Sequence, residues 1–412
     1  NYWVDLMEII RKYENSNLAS YRTKDFPQNK VAEEEDLGGI LTSQNGIYVN
    51  SAISTSSAAR MLRLTIGGIA LRHRRNTCFL QPEFHKSRKI NVFLSLNRSD
   101  CMGHLCDYSE LKKEASLRLC DVNGRRIELL EIESEDPTVH VLIVPGNPGI
   151  VPFYKDFVEF LYDLLDGKAS ITAIGHISFS MKSWECGKLF SLQQQIDHKV
   201  DFIEQECIKV PIVLIGHSIG SYMSLEILRR LPGKVVYFIG LYPFLKVNPS
   251  SRKQKYFSKV AKNPFCSSVI SFVISTLGCM PRCLRRYIAA NSIGKLWSSN
   301  AVDAACSHLV RYHTFRNMLF LANSEFNKLT EELDWQFINE NEGMITFLFG
   351  VDDHWGPQQM YDEISIKAPN VPLTIEREGH THSFCVTEAG SFWTAQYSAN
   401  LIKSNIASKS IS

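Results

Sequence analysis

Residues 210–220 read V-P-I-V-L-I-G-H-S-I-G. The apolar run Ile212, Val213, Leu214, Ile215 predicts a strand buried on both faces, and the helix-forming run from Tyr222 predicts a helix soon after Gly220. The order is strand, sharp turn, helix, with Ser218 at the turn. A nucleophile there sits in a strained backbone conformation, so the residues two before and two after it must let strand and helix approach closely. Gly216 and Gly220, flanking His217, Ser218 and Ile219, are small enough. The predicted outcome is a serine hydroxyl exposed at the top of a sheet. A G-x-S-x-G string alone arises by chance in many long chains, and it is the flanking strand and helix that give this one weight.

Upstream, Ser116 to Val122 and Arg126 to Glu133 alternate apolar and polar residues around Asn123-Gly124, the pattern of a β-hairpin. Val139 to Val144 reads as a buried strand ending in the turn-rich Pro145-Gly146-Asn147-Pro148-Gly149. Phe153 to Leu165 has helical spacing, Ile171 to Ile177 reads as a strand, and Leu192, Ile196, Val200 and Ile203 mark a helix face. Val235 to Leu241 is another apolar strand. Strands alternating with helices imply a mostly parallel sheet with right-handed crossovers and helices on both faces. The opening hairpin and the serine turn on a central strand narrow this to an α/β-hydrolase fold over residues 116–412.

The alternation pauses over about 243–340, where this fold commonly inserts a lid. It resumes with a strand at Met344 to Gly350, a helix from Pro357, a strand at Val371 to Ile375 and a helix from Thr387 to Leu401. Within the insertion, Phe265 to Met280 are sixteen uncharged residues between Pro264 and Pro281. As a helix they span about 24 Å, short of the ~30 Å hydrocarbon core, so a full crossing is not expected. Basic residues flank both ends: Arg252, Lys253, Lys255, Lys259 and Lys262 before, Arg282, Arg285 and Arg286 after. An apolar plug with a cationic collar suits one leaflet of an anionic lipid surface, with Phe265, Val269, Ile270, Phe272, Val273, Ile274 and Leu277 as contacts. The competing reading is a buried helix with solvated basic ends.

A serine attacks an acyl carbonyl only when a base takes its proton, and that base needs a carboxylate to hold its tautomer. In this fold the chain order is serine, acid, histidine. Asp352 and Asp353 follow the strand ending at Gly350, and His380 and His382 precede the last helix. Asp353 is favoured because it lies far enough past the strand to turn towards the sheet edge, leaving Asp352 to cap the turn. His382 is favoured because Ser383-Phe384 can anchor its loop; His380 then is a partly exposed loop residue. His217 points away from its neighbour on the tight turn and is expected to be structural or pocket-lining. The oxyanion donors are expected at the amide of Ile219 and in the Pro145 to Gly149 loop, at Asn147.

Composition sets the outer bounds. Of 412 residues 44% are hydrophobic, enough for a large core. Forty-five basic against 43 acidic residues leave a net charge of +2, with no sign of a nucleic-acid partner. Eleven cysteines without metal-ligand spacing suggest free thiols, and no metal or organic cofactor is implied. Residues 1–115 read as a disordered or targeting extension. Leu37 to Pro82 lack acidic residues but carry Arg60, Arg63, Arg72, Arg74 and Arg75, a composition that suits a plastid or mitochondrial transit peptide, with Met61 as an internal start; the plainer reading is an unordered tail.

The string G-N-P-G-I-V-P-F-Y-K-D-F from Gly146 to Phe157, the turn G-H-S-I-G, Asp353-His354-Trp355-Gly356-Pro357 and His382-Ser383-Phe384 together resemble the lipid droplet-associated hydrolase family. The resemblance runs from about Ser116 to Leu401. It implies a Ser218, Asp353, His382 triad and a serine hydrolase acting on lipid esters of the cholesteryl ester or acylglycerol type. It also implies residence on lipid droplets and the endoplasmic reticulum through the apolar segment. This chain departs from the pattern in its second aspartate and second histidine and in its transit-like extension. A second reading keeps the constellation but turns over little: a lipid-droplet binding or organising protein.

Overall fold

A computed structural model describes residues 113–292 and 295–409 of the chain. The basic stretch 37–82, Met61 and nearly all of the expected extension lie outside the described residues. Strands β1 (Ser116–Val122) and β2 (Arg125–Ile132) pair antiparallel with Val122 opposite Arg125. Asn123 and Gly124 close the hairpin at φ 51° and 74°, both left-handed, as a two-residue turn whose twist matches that of the strands.

The remaining strands are β3 (Val139–Val144), β4 (Ala169–Ile174), β5 (Ile212–His217), β6 (Val235–Leu241), β7 (Ile345–Gly350) and β8 (Leu373–Glu376), and the sheet order is β1-β2-β4-β3-β5-β6-β7-β8. β2 meets β4 antiparallel, and every pairing from β4 onward is parallel. Helix α1 (Lys155–Leu164) joins β3 to β4; α2 (Leu192–Gln205) and α3 (Ile219–Arg230) flank β5. The chain steps from β3 to β4 and then back across to β5. Right-handed crossovers therefore send α1 to one face and α2 and α3 to the other. β5 lies between β3 and β6 and is buried throughout, which is why its sequence is continuously apolar rather than alternating.

Two strands fall elsewhere than their periodicity suggests. The strand expected at Ile171 to Ile177 ends at Ile174: Gly175 N still donates to Glu128 O of β2 at 3.0 Å, but His176 N donates to Gly149 O at 3.1 Å and takes the chain off the sheet. The strand expected from Val371 starts at Leu373. Val371 is spent on a turn, its N–H donating to Ala368 O at 3.1 Å, and Pro372 brings only a carbonyl to the ladder.

Between β6 and β7 the chain inserts α4 (Arg252–Lys262), α5 (Pro264–Leu277), α6 (Arg282–Asn291), α7 (Ser299–Ala304), α8 (Tyr312–Lys328) and α9 (Trp335–Glu340). Asn263 breaks α4 from α5: its side chain accepts from the N–H groups of Phe265 and Cys266, and Pro264 cannot continue the preceding helix. The two helices meet at 94°. Among the described residues no single helix is long and apolar enough to cross a membrane, though this bent pair passes by length and composition together.

Of the seven residues expected to meet lipid, five are exposed: Phe265 by 76%, Phe272 by 57%, Val273 by 56%, Val269 by 45% and Leu277 by 37%. Ile270 and Ile274 are not part of that face. Helical periodicity turns them inward with Ser267 and Ser271, Ile274 being buried and Ile270 packed against the core. Leu284, Tyr287 and Ile288 of α6 are exposed as well.

The last elements are α10 (Gln358–Lys367) and α11 (Glu388–Lys409), the latter packing on α1. Behind the sheet, His176, His198 and Lys199 are all buried, with the Lys199 amine donating to Gly175 O at 3.4 Å. Burial lowers Lys199 to about 7, against 10.5 for the free side chain. Its folded form therefore binds fewer protons than the unfolded chain between these two values, and stability rises with pH across that window. Lys199→Met is expected to raise the unfolding temperature at pH 7, because it removes the cost of burying and deprotonating the amine. Thermal unfolding at pH 7 and pH 10 checks it: the wild type should gain more on the alkaline step than the variant, and equal gains would refute the assignment.

Candidate active site

β5 delivers Ser218 into the turn at φ 55°, ψ −124°, a conformation that α3 holds in place by starting at the next residue. A Cβ on Gly216 would stand 2.6 Å from Gly220 O, and one on Gly220 would stand 2.1 Å from Val144 O. Both are backbone atoms that cannot step aside. Gly220→Ala is accordingly expected to cost about 4 kcal/mol or more and to collapse soluble yield, read by expression and thermal unfolding; a variant as stable as wild type would contradict the packing. Ser218 is further tied by its N–H to Leu241 O at 3.0 Å and by its carbonyl, which accepts from Phe244 N at 3.1 Å.

The loop between β8 and α11 carries His382 to Ser218, with Nε2 2.9 Å from the serine Oγ. Its Nδ1 lies 2.7 Å from Asp353 Oδ2, just past the end of β7. A carboxylate only accepts, so Nδ1 carries the hydrogen and Nε2 is left to accept from the serine hydroxyl. Asp353 is buried, and Oδ1 accepts from Trp355 N at 2.8 Å. Burial pushes its carboxyl up, but the facing His382 and the N–H groups of Trp355 and Gly356 outweigh it, so the carboxyl titrates below the usual range. Asp352 is exposed, and His380 lies against Trp393, ring centroids 5.8 Å apart. The three side chains that meet are thus Ser218, His382 and Asp353.

His217 takes a supporting position. Its Nε2 is 2.8 Å from the carbonyl oxygen of His382 and its Nδ1 is 2.6 Å from the hydroxyl of Tyr154. A carbonyl only accepts, so Nε2 donates and Tyr154 donates to Nδ1, while the Tyr154 oxygen accepts from Gly146 N at 3.0 Å. Burial lowers His217 to about 3, so the ring stays neutral and its tautomer fixed. This relay joins the serine turn, the histidine loop and the Pro145 to Gly149 loop. Tyr154 was not visible as a site residue because its partner is 63 positions away.

Among the described residues the backbone N–H groups of Ile219 and Asn147 donate to no backbone carbonyl in the turns and loops, and Asn147 shares a cavity with Ser218. The Asn147 side chain points elsewhere, its Nδ2 donating to Met318 O and to Glu325 Oε1, each at 3.0 Å, both on α8. Asn147, Glu325, Ser218 and His382 line one cavity of about 80 Å³, with Phe244, Phe257, Trp297 and Trp355 among its walls. Phe257 and Trp355 meet edge to face at 5.7 Å, which brings α4 against the loop that carries Asp353. No group of three or more potential metal ligands occurs among the described residues, and the cysteines there are unpaired.

The fold matches solved structures over most of the chain. A haloalkane dehalogenase from Bradyrhizobium elkani aligns with a TM-score of 0.55 at 14% identity, covering 72% of this chain and all of that one. A haloalkane dehalogenase variant from Agrobacterium tumefaciens aligns with a TM-score of 0.53 at 11% identity over 71% of this chain and 96% of that one. Likeness at that identity concerns the α/β-hydrolase fold alone. In sequence, the lipid droplet-associated hydrolases of Dictyostelium discoideum, Gallus gallus and Homo sapiens are 26%, 25% and 24% identical, over 63%, 62% and 60% of this chain and 86%, 83% and 80% of theirs. The model of the lipid-droplet associated hydrolase family matches residues 137–385, which reach from the strand before the Asn147 loop to just past His382. That match spans more than half of the sequence, and the chain belongs to the lipid-droplet associated hydrolase family.

Proposed function

We propose that the chain is a serine hydrolase of lipid esters that works at the surface of a lipid droplet, with Ser218 as nucleophile, His382 as base and Asp353 as the carboxylate that orients it. The observation that carries this reading is the unbroken line of hydrogen bonds, 2.9 Å from serine to histidine and 2.7 Å from histidine to aspartate, opening on an aromatic cavity. His382 takes the Ser218 proton as Oγ adds to the ester carbonyl, and the N–H groups of Ile219 and Asn147 receive the oxyanion. On collapse His382 returns the proton to the departing alcohol, leaving an acyl-serine. Water then gives a proton to His382 as its oxygen adds to the acyl carbon, and His382 returns that proton to the departing Ser218 Oγ, freeing the carboxylic acid and the serine.

The substrate class follows from the walls. An apolar, aromatic cavity selects an acyl chain, yet about 80 Å³ is far below the roughly 300–1,000 Å³ that ligand pockets of drug size need. Phe257 on α4, Trp297 and Met318 on α8 all belong to the insertion, so the insertion must move as a lid for a cholesteryl ester or acylglycerol to enter. The exposed face of Phe265, Val269, Phe272, Val273 and Leu277, beside the exposed Lys253, Lys255, Lys259 and Lys262 of α4, is suited to supply that movement on contact with a lipid monolayer. The same face would serve a protein that organises droplets without turnover. The endoplasmic reticulum offers the same kind of surface.

Labelling of the full chain with a fluorophosphonate, in the presence of a phospholipid-coated triacylglycerol emulsion, separates the two. Labelling lost in Ser218→Ala supports the hydrolase. An unlabelled, folded wild type on the emulsion would favour the organiser instead.

A further inference from the structure

Glu325 is a buried carboxyl that the hydrolytic steps above do not use. It sits on α8, inside the insertion, yet lines the same cavity as Ser218. Among the described residues its side chain hydrogen-bonds to the Asn147 amide alone, 3.0 Å from Oε1. Asn147 in turn spans Glu325 and the Met318 carbonyl with one NH2 group, and its own Oδ1 is buried without a partner among the described residues. The Asn147 loop, which shares the cavity with Ser218, is therefore fastened through this side chain to a helix of the insertion.

We propose that Glu325 is a positioning residue for the oxyanion loop, holding Asn147 to α8, and that a negative charge on it would oppose the oxyanion formed in the same cavity. The inference rests on the serine-hydrolase reading and adds an alkaline limit to it. Burial pushes the Glu325 carboxyl up to about 8, with the Asn147 hydrogen bond pulling weakly the other way. At neutral pH the group is protonated and leaves the cavity free of negative charge from α8. Above that value a carboxylate stands in the low-dielectric cavity where the ester oxyanion must form, and like charge there raises the barrier.

Three other titratable side chains on the cavity are held away from this range by burial. Tyr154, on the turn before α1, is raised well above its ordinary value by burial, and Cys385, in the loop before α11, is pushed up to about 12. His217 at the serine turn is lowered to about 3. His382 lines the cavity too and faces Asp353, which burial keeps behind it. Lys199 titrates near 7, but its amine faces Gly175 O.

The test is the pH profile of kcat/KM on a soluble short-chain ester, p-nitrophenyl butyrate, for the full chain in detergent between pH 6 and 9.5. The wild type is expected to fall above about pH 8, approaching tenfold per pH unit. Glu325→Gln keeps an uncharged partner for Asn147; it should lower kcat/KM at pH 7 about threefold and abolish the alkaline fall. Glu325→Ala removes the fastening and the charge together, and should lower kcat/KM roughly 10–100-fold at pH 7 while showing no alkaline fall of its own. A Glu325→Gln profile that still falls above pH 8, or a Glu325→Ala enzyme equal to wild type, overturns the proposal. A purely structural role would lower both variants and leave the alkaline fall in place. Fluorophosphonate labelling read in parallel keeps the two ideas apart: a wild type that never labels refutes the hydrolase reading and this one with it, whatever stands at position 325.

Discussion

Ser218→Ala is expected to abolish ester hydrolysis, a loss of about 10⁴–10⁶-fold in kcat. The hydroxyl that His382 reaches at 2.9 Å belongs to Ser218, and Tyr154 is committed to His217 and Gly146. His382→Ala should cost nearly as much, because without the base the serine remains a neutral alcohol. Asp353→Asn should cost about 10⁴-fold, since an amide in place of Oδ2 no longer compels His382 to carry its hydrogen on Nδ1. The losses should not add; a double variant of Ser218 and His382 should be no worse than either alone. The measurement is single-turnover and steady-state hydrolysis with each variant's fold checked by circular dichroism. Retention of more than about a hundredth of wild-type kcat in a folded Ser218→Ala protein would rule out the assignment.

The second large effect concerns attachment to lipid. Phe265, Phe272 and Val273 are more than half exposed on one side of α5, and each would bury apolar area on a monolayer. At about 25 cal/mol per Å², three partly buried side chains together contribute roughly 4 kcal/mol, or about a thousandfold in partition. Changing all three to Ser should therefore shift the protein from floating with phospholipid-coated triacylglycerol droplets to remaining in the aqueous phase. Ile274→Ser provides the contrast. That side chain is buried against the core, so its replacement should lower the unfolding temperature, whereas the triple variant should unfold as wild type does. If the triple variant still floats, α5 is not the attachment face.

Periodicity misread that face for a definite reason. A run of sixteen uncharged residues shows no polar stripe to mark an inner side, and serine is small enough to be buried when its hydroxyl returns to the helix backbone. Ser267 donates to Val260 O at 3.2 Å and Ser271 to Ser267 O, so both sit inside while Phe265 and Phe272 sit outside. The shift of β8 has a similar origin, since Val371 is apolar enough for a strand but is used in a turn ahead of Pro372.

The serine turn, the hairpin and the succession of strands and helices were legible in the sequence because each depends on near neighbours: two glycines beside Ser218, Asn-Gly between alternating strands, and apolar runs the length of a strand. Asp353 and His382 could be narrowed to neighbouring pairs by chain order alone. Tertiary structure decided what chain order cannot, which is who meets whom across long separations. His382 and Ser218 are 164 positions apart, and Asn147 and Glu325 are 178 apart. No local period records such a pairing, because burial and hydrogen-bond direction at these positions are set by the packing of the insertion and the last loop onto the sheet edge.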